Sequence, residues 1–499
     1  MNRRMIPAVA AVAFCLAITA INPRALLPRA GLEMVSAAHA QATVQPLSAN
    51  DVSWLFPAPT QEADLKQLIS IGSLTASDPK DPKKRNPVWS EEAFHQFLTI
   101  AAGPAGRVAG TAQRIGLPAE VWSENDWYIA GVRIDPAAPG ASDKIRDQLG
   151  RELQIRLVVQ PVTADANGGL KVHDLAAHLV FTFKAGNDDP PALAGCLSRP
   201  HPDLVRTNTI VSELDTLRTK LSKVADTTSG KPLGVHPGLL DPDPITASYV
   251  SGEMKSFLER HVSGEHLELM AIAALAAESI KNDQINRWIF LSMGPSPSEP
   301  DGGFVAYPGA ALDGQQYAQM FEPGALQNRV IPVPHPNNLN PVTCLNAALP
   351  TAGPPIERRQ GYSTAELFAS RQAPDQRQPI EVIEKNLNVI ADPSMSHFLN
   401  TDCVSCHTET GRRMDLGLAG DLKGIDATCQ PAGPGPGCTW NLRNFGWSPV
   451  QGKVVATVTQ RTIKETEAVV NFINASLLAG NISGAAPAKD TPLTPVTDK

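Results

Sequence analysis

Leu153-Gln-Ile-Arg-Leu-Val-Val-Gln-Pro-Val162 and Leu175-Ala-Ala-His-Leu-Val-Phe-Thr-Phe183 are two runs rich in branched and aromatic residues. They flank Ala164–Gly169, whose Asp, Asn and paired Gly suit a turn. Working outward, Trp127–Ile134 is a third β-rich run, and Glu91–Ala102 reads as a helix with Glu91 and Glu92 near its positive N-terminal end. Residues 208–224 and 247–262 also read as helices. Arg287–Met293 reads as a buried strand, while Leu267–Ala277 fits helix and strand equally well. Strands joined across short turns predict an α+β arrangement for residues 41–293, not a parallel doubly wound sheet.

The chain has 499 residues, 42% hydrophobic and 19% charged. That length predicts two to four domains, and the apolar content excludes a wholly disordered chain, a collagen and a coiled-coil rod. Residues 1–40 read as a signal peptide. Arg3 and Arg4 precede the apolar run Ile6–Ile21, and Ala38-His39-Ala40 has a small-x-small cleavage pattern. The mature chain is expected to begin at Gln41, in the periplasm or outside the cell, with no transmembrane span. It then carries 39 basic and 49 acidic side chains, a balance that disfavours nucleic acid as a partner. Fifteen of the 44 prolines fall within residues 294–394, so 294–379 is expected to be a Pro-rich connector or wrap. Residues 481–499, rich in Ala, Pro and Thr, read as a disordered tail.

One motif carries chemistry. Cys403-Val-Ser-Cys406-His407 is a C-x-x-C-H sequence, the signal for covalent haem attachment. Two thiols at this spacing can add to the two vinyl groups of one haem, and the adjacent imidazole can then ligate the iron. Three other readings use the same residues: a thioredoxin-like redox pair, a zinc site of Cys403, Cys406, Cys429 and Cys438, and a disulfide between Cys403 and Cys406. The approach Phe398-Leu-Asn-Thr-Asp402 lacks the apolar strand that a thioredoxin-like pair follows. The zinc reading leaves His407 unexplained. Cys429 and Cys438 enclose a Pro/Gly-rich loop, which a disulfide would close in an oxidising compartment. Cys196 and Cys344 are a second, undetermined pair.

Residues 380–480 resemble a c-type cytochrome domain. The likeness rests on Cys403-Val-Ser-Cys-His407 and on the amphipathic segment Thr462–Leu477, whose Thr462 and Glu465 suit a capping box. The resemblance implies a mainly α haem domain with one haem c bound to Cys403 and Cys406, and His407 as proximal iron ligand. The distal ligand stays open among Met395, His397 and Met414, a residue from another region, and an empty position. Trp440, Trp447, Arg443, Arg412 and Arg413 are candidate hydrogen-bond donors to haem propionates.

No other catalytic signature stands out. His261 and His266 miss zinc-peptidase spacing by one residue, and His173 and His178 are five apart, facing opposite ways on a strand. The expected function is one-electron transfer with a redox partner protein or a small-molecule donor or acceptor. The competing expectations are a peroxidase-like oxidoreductase with an open iron site and a haem-bearing binding or sensor protein of the cell envelope.

Overall fold

A computed structural model describes residues 46–78, 81–108, 111–135, 153–165, 167–183, 204–224, 233–281, 287–295, 303–307, 318–321, 380–393, 403, 406, 407, 409, 410, 413, 418, 445–450 and 453–478. Its strands are β1 (Ser53–Leu55), β2 (Thr75–Ser77), β3 (Arg85–Pro87), β4 (Trp127–Asp135), β5 (Leu153–Ala164), β6 (Leu170–Val172), β7 (Leu175–Phe183), β8 (Leu267–Leu275), β9 (Trp288–Pro295), β10 (Phe304–Tyr307), β11 (Gln319–Phe321), β12 (Phe445–Val450) and β13 (Lys453–Val458). Nine of them form one sheet in the order β1-β4-β5-β7-β8-β9-β10, with β6 added beside β5 and β11 beside β9. The pairings are antiparallel. The helices are α1 (Ala49–Val52), α2 (Glu62–Leu65), α3 (Glu91–Ala102), α4 (Leu204–Leu221), α5 (Pro244–His261), α6 (Ala277–Lys281), α7 (Ile380–Ala391) and α8 (Gln460–Leu478).

Local chemistry sets the boundaries. Ser90 Oγ accepts from the Ala93 N–H and caps α3. The Asp243 carboxylate accepts from Ile245 and Thr246, and Pro244, which has no N–H to satisfy, opens α5. Between β5 and β6, Gly168 has φ +81°, a left-handed conformation that a side chain disfavours.

Alternation divides the sheet into two unlike faces. Ile134, Ile155, Phe181 and Met270 belong to an apolar face, and their neighbours Arg133, Arg156, Val180 and Leu269 to the other, mixed face. The β4–β5 register shifts between Ile129 and Gly131, so Trp127 and Ile129 stay on the apolar side. Helices α3 and α4 cover that side. Phe94 meets Trp127 edge-on at 5.7 Å, and the Arg206 guanidinium sits 3.9 Å from the centre of the Phe183 ring.

The C-terminal segments cover the mixed face. In the β12–β13 ribbon, the Trp447 N–H and C=O are both bonded to the Gln160 side-chain amide, at 2.6 and 2.9 Å. The Trp447 indole donates to the Phe56 carbonyl at 2.9 Å. Gly131 makes room for this ribbon, since a Cβ there would lie 2.5 Å from the Phe445 ring. Helix α8 is tied to β1 by Ser53 and Thr466 at 2.8 Å, and Asn474 bonds both backbone groups of Leu47.

The expected fold class is therefore corrected. Residues 41–293 do not form an α+β region followed by a separate, mainly α cytochrome c-like domain. Phe445, Trp447, Val458, Val469 and Ile473 share one core with Trp54 and Trp127. Strands β10 and β11, which fall in the expected connector, extend the sheet beside β9. The reason is physical: an amphipathic period shows that a helix buries a face, not what it buries it against. The capping box fails as well. Helix α8 begins at Gln460, placing Thr462 within its first turn, with its N–H 3.4 Å from Thr459 Oγ1. Among the described residues, no helix is long and apolar enough to cross a membrane.

His236 is 1% exposed, stacks on Trp54 at 3.7 Å and accepts the Gly238 N–H through Nδ1. Burial pushes its pKa down to about 3. In the unfolded chain the imidazole takes up a proton below about 6.5, while the folded one stays neutral, so falling pH favours unfolding. Going from neutral pH to about pH 5 should cost this site about 2 kcal/mol. Urea melts of wild type and His236→Gln at the two pH values check this, because Gln keeps an acceptor and cannot titrate; an equal loss in both proteins would exclude His236 as the source.

Candidate functional site

Residues 403, 406, 407, 409, 410 and 413 are helical. At 3.6 residues per turn, Cys403, Cys406 and His407 share one face of that helix. Thr410 and Arg413 continue that side, Glu409 flanks it, and all three are buried.

These buried residues fix the helix in place. Arg413 Nε donates to Glu409 Oε1 at 2.5 Å, and Arg413 Nη2 donates to Asn388 of α7 at 2.9 Å. Thr410 Oγ1 donates to Glu409 at 2.7 Å and accepts the Gln460 N–H of α8 at 3.0 Å. Leu418 packs on Leu387 and Ile390 of α7.

Against the sheet, the His407 imidazole lies 5.8 Å from that of His178 on β7, at an interplanar angle of 75°. It also lies 4.9 Å from the Phe290 ring on β9. His178 pairs with Val158 and Ala271, and Phe290 with Ala273, so both rings come from the mixed face. Cys403 and Cys406 are half-buried thiols and not a disulfide. Among the described residues, no three His, Cys, Asp or Glu side chains converge as ligands of a bare metal ion.

A charged cluster occupies the same face. Glu465 of α8 meets Arg133 of β4 in a close ion pair, Arg461 Nε at 2.7 Å and Arg156 Nη1 at 3.8 Å. Burial alone would raise the Glu465 pKa, but Arg133, Arg461 and Arg156 hold its carboxyl far below the usual range. Arg156 is pushed down to about 10, by burial and then by Arg133. Burial also works against the charge on Arg461, yet Glu465, Cys406 and Asp392 raise its pKa overall. Arg461 Nη1 donates to the Ile390 carbonyl at 3.0 Å, linking this cluster to α7. Asp135 lies 3.9 Å from Arg133, so Glu465, Asp135 and Asp392 are the carboxylates that act on the three guanidinium groups. Arg133 is 6% exposed, and its Nε and Nη2 have no hydrogen-bond partner among the described residues. The site thus has two thiols, an adjacent imidazole and a second imidazole facing it, with a buried cluster of Arg and Glu side chains on the same face of the sheet.

The remaining sequence candidates separate. The Trp447 indole donates to Phe56, and Arg413 donates through Nε to Glu409 and through Nη2 to Asn388. His173 bonds Thr163 at 2.8 Å, with its pKa pushed down to about 4 by burial. His261 bonds Glu213 at 3.0 Å and His266 bonds Ser263 at 2.8 Å, so the two make no joint site. Met395, His397, Met414, Cys429, Cys438, Cys196, Cys344, Trp440, Arg412 and Arg443 lie outside the described residues, as do residues 1–45 and 479–499. The Arg133–Glu465–Arg156 cluster and Phe290 escaped the sequence reading. Alternation along β5 and β7 marks the face of Arg156 and His178, but nothing local marks what covers it.

Comparison with family models, curated proteins and solved structures gives no match to this chain.

Glu465→Gln leaves three guanidinium groups around a neutral amide and should cost about 3–5 kcal/mol. Urea melts of the variant check this, and a loss within about 0.5 kcal/mol would mean that the cluster does not secure α8.

Proposed function

We propose that this protein binds one haem covalently through Cys403 and Cys406, with His407 ligating the iron, and serves in one-electron transfer. The observation that carries the reading is the joint placement of Cys403, Cys406 and His407 on one helical face, with His407 turned towards the sheet. Thiols rather than a disulfide are what thioether formation to two vinyl groups requires. Anionic propionates would be matched in sign by Arg133, whose Nε and Nη2 have no hydrogen-bond partner among the described residues. When bound, the haem supplies a ferric/ferrous couple whose potential follows its axial ligands and surroundings.

The chain's own contribution is positional. The Glu409–Arg413 pair and Thr410 hold the helix against α7 and α8, and Phe290 packs on the His407 ring. The reading concerns the attachment chemistry alone, because the surrounding fold is an antiparallel sheet and not a small helical bundle. The partner is a redox protein or a small-molecule donor or acceptor. Export to the periplasm or beyond belongs to the same proposal, since c-type haem is attached outside the cytoplasm.

Expression of the full chain with cytochrome c maturation machinery should give a haem-staining band on a denaturing gel. The doubly substituted Cys403→Ala/Cys406→Ala protein should give none, and His407→Ala should lose the low-spin spectrum. An unstained wild-type band would overturn the proposal and turn attention to zinc.

A further inference from the structure

We infer that His178 supplies the second axial imidazole to the iron, so that the haem is held between strand β7 of the sheet and the motif helix. This rests on the covalent attachment proposed above and adds the ligand on the opposite side. Two imidazoles bound trans to one metal, each at about 2 Å, have ring centres about 6 Å apart. The His178 and His407 rings are 5.8 Å apart. An interplanar angle of 75° is compatible with this, because each ring can turn about its own metal–nitrogen axis.

The surroundings of His178 fit the role. Strand β7 lies inside the sheet between β5 and β8, so the imidazole is carried by a rigid element and not a loop. Val158 is its partner on β5, but towards β8 the mixed face is small: Ala271 is its partner there, and Ala176 and Ala273 form the next pair. These leave width beside the ring for a flat group. Phe290, opposite Ala273, closes one side and packs on His407. Arg156, paired with Val180, adds positive charge one strand away. A sixth ligand on the sheet also explains why the sequence after His407 offers no further His and no Met beyond Met414.

The test uses the full chain matured with haem, comparing wild type, His178→Ala and His178→Met by haem stain, visible and paramagnetic resonance spectra, and CO binding to the reduced form. Wild type should be stained, low-spin and unresponsive to CO. His178→Ala should keep the stain but become high-spin and bind CO, and added imidazole should restore the low-spin spectrum. His178→Met should keep six ligands, with a thioether-to-iron absorption and a higher potential than wild type. This second variant decides the matter if His178→Ala does not fold. A stained His178→Ala protein that remains low-spin and CO-insensitive would overturn the assignment and return the ligand to Met395, His397 or Met414. So would a stained wild type that already binds CO. In both cases covalent attachment survives. An unstained wild type overturns the attachment reading as well, so the two failures are told apart by the gel.

Discussion

A single carboxylate on α8, that of Glu465, is surrounded by the guanidinium groups of Arg133, Arg156 and Arg461. Much of the C-terminal arrangement depends on it. Apolar burial is non-directional and would let α8 slide or turn on the sheet. A buried carboxylate bound to β4 and β5 cannot slide without leaving charges unpaired in a medium that penalises them. Arg461 passes the constraint onward to α7 through the Ile390 carbonyl and lies in the electrostatic reach of Cys406. The motif helix is therefore located by a chain of charges that begins on the sheet.

The sheet's unlike faces explain how one set of strands serves two purposes. The apolar face, with Ile155, Leu157 and Phe181 fully buried, is closed by helices and does only packing work. The mixed face keeps Arg133, Arg156, Gln160 and His178 among its small and branched residues. Each of the first three meets a C-terminal partner through a specific polar contact. His178 belongs to that row and meets the motif helix. Polar groups placed on rigid strands give defined geometry, at the cost of needing a partner for every atom. Among the described residues, Arg133 Nε and Nη2 are where that hydrogen bonding is incomplete.

Local order was largely readable from the residues. The expected runs at Trp127–Ile134, Leu153–Val162 and Leu175–Phe183 coincide with β4, β5 and β7. Glu91–Ala102 is helix α3, and the ambiguous Leu267–Ala277 resolves as β8 because it pairs on both sides. What escaped was long-range. Trp447 reads as a haem-pocket indole because it follows the motif, yet it is a core residue whose N–H serves Phe56, nearly 400 positions away in sequence. Glu465 reads as half of a capping box because Thr462 is three residues before it, yet three arginines claim it. Local spacing identifies a group's chemistry, but distant segments decide which partner wins. Of the candidate site, Cys403, Cys406 and His407 were legible as a unit, whereas their neighbours on β7 and β9 were not.

The bonds from α8 back to the start of the fold have a kinetic side. Ser53 meets Thr466 across 413 positions, and Leu47 meets Asn474 across 427. Loop closure over such separations comes late in folding and slows it. A chain emerging from its N-terminus thus completes the strands β1 to β9 long before it can cover their mixed face. During that interval Arg133, Arg156 and His178 stand open to water, and the cysteine segment is not yet docked on them. Order of emergence, on whichever side of a membrane the chain folds, leaves a period in which Cys403 and Cys406 stay reachable, and docking of α8 ends it.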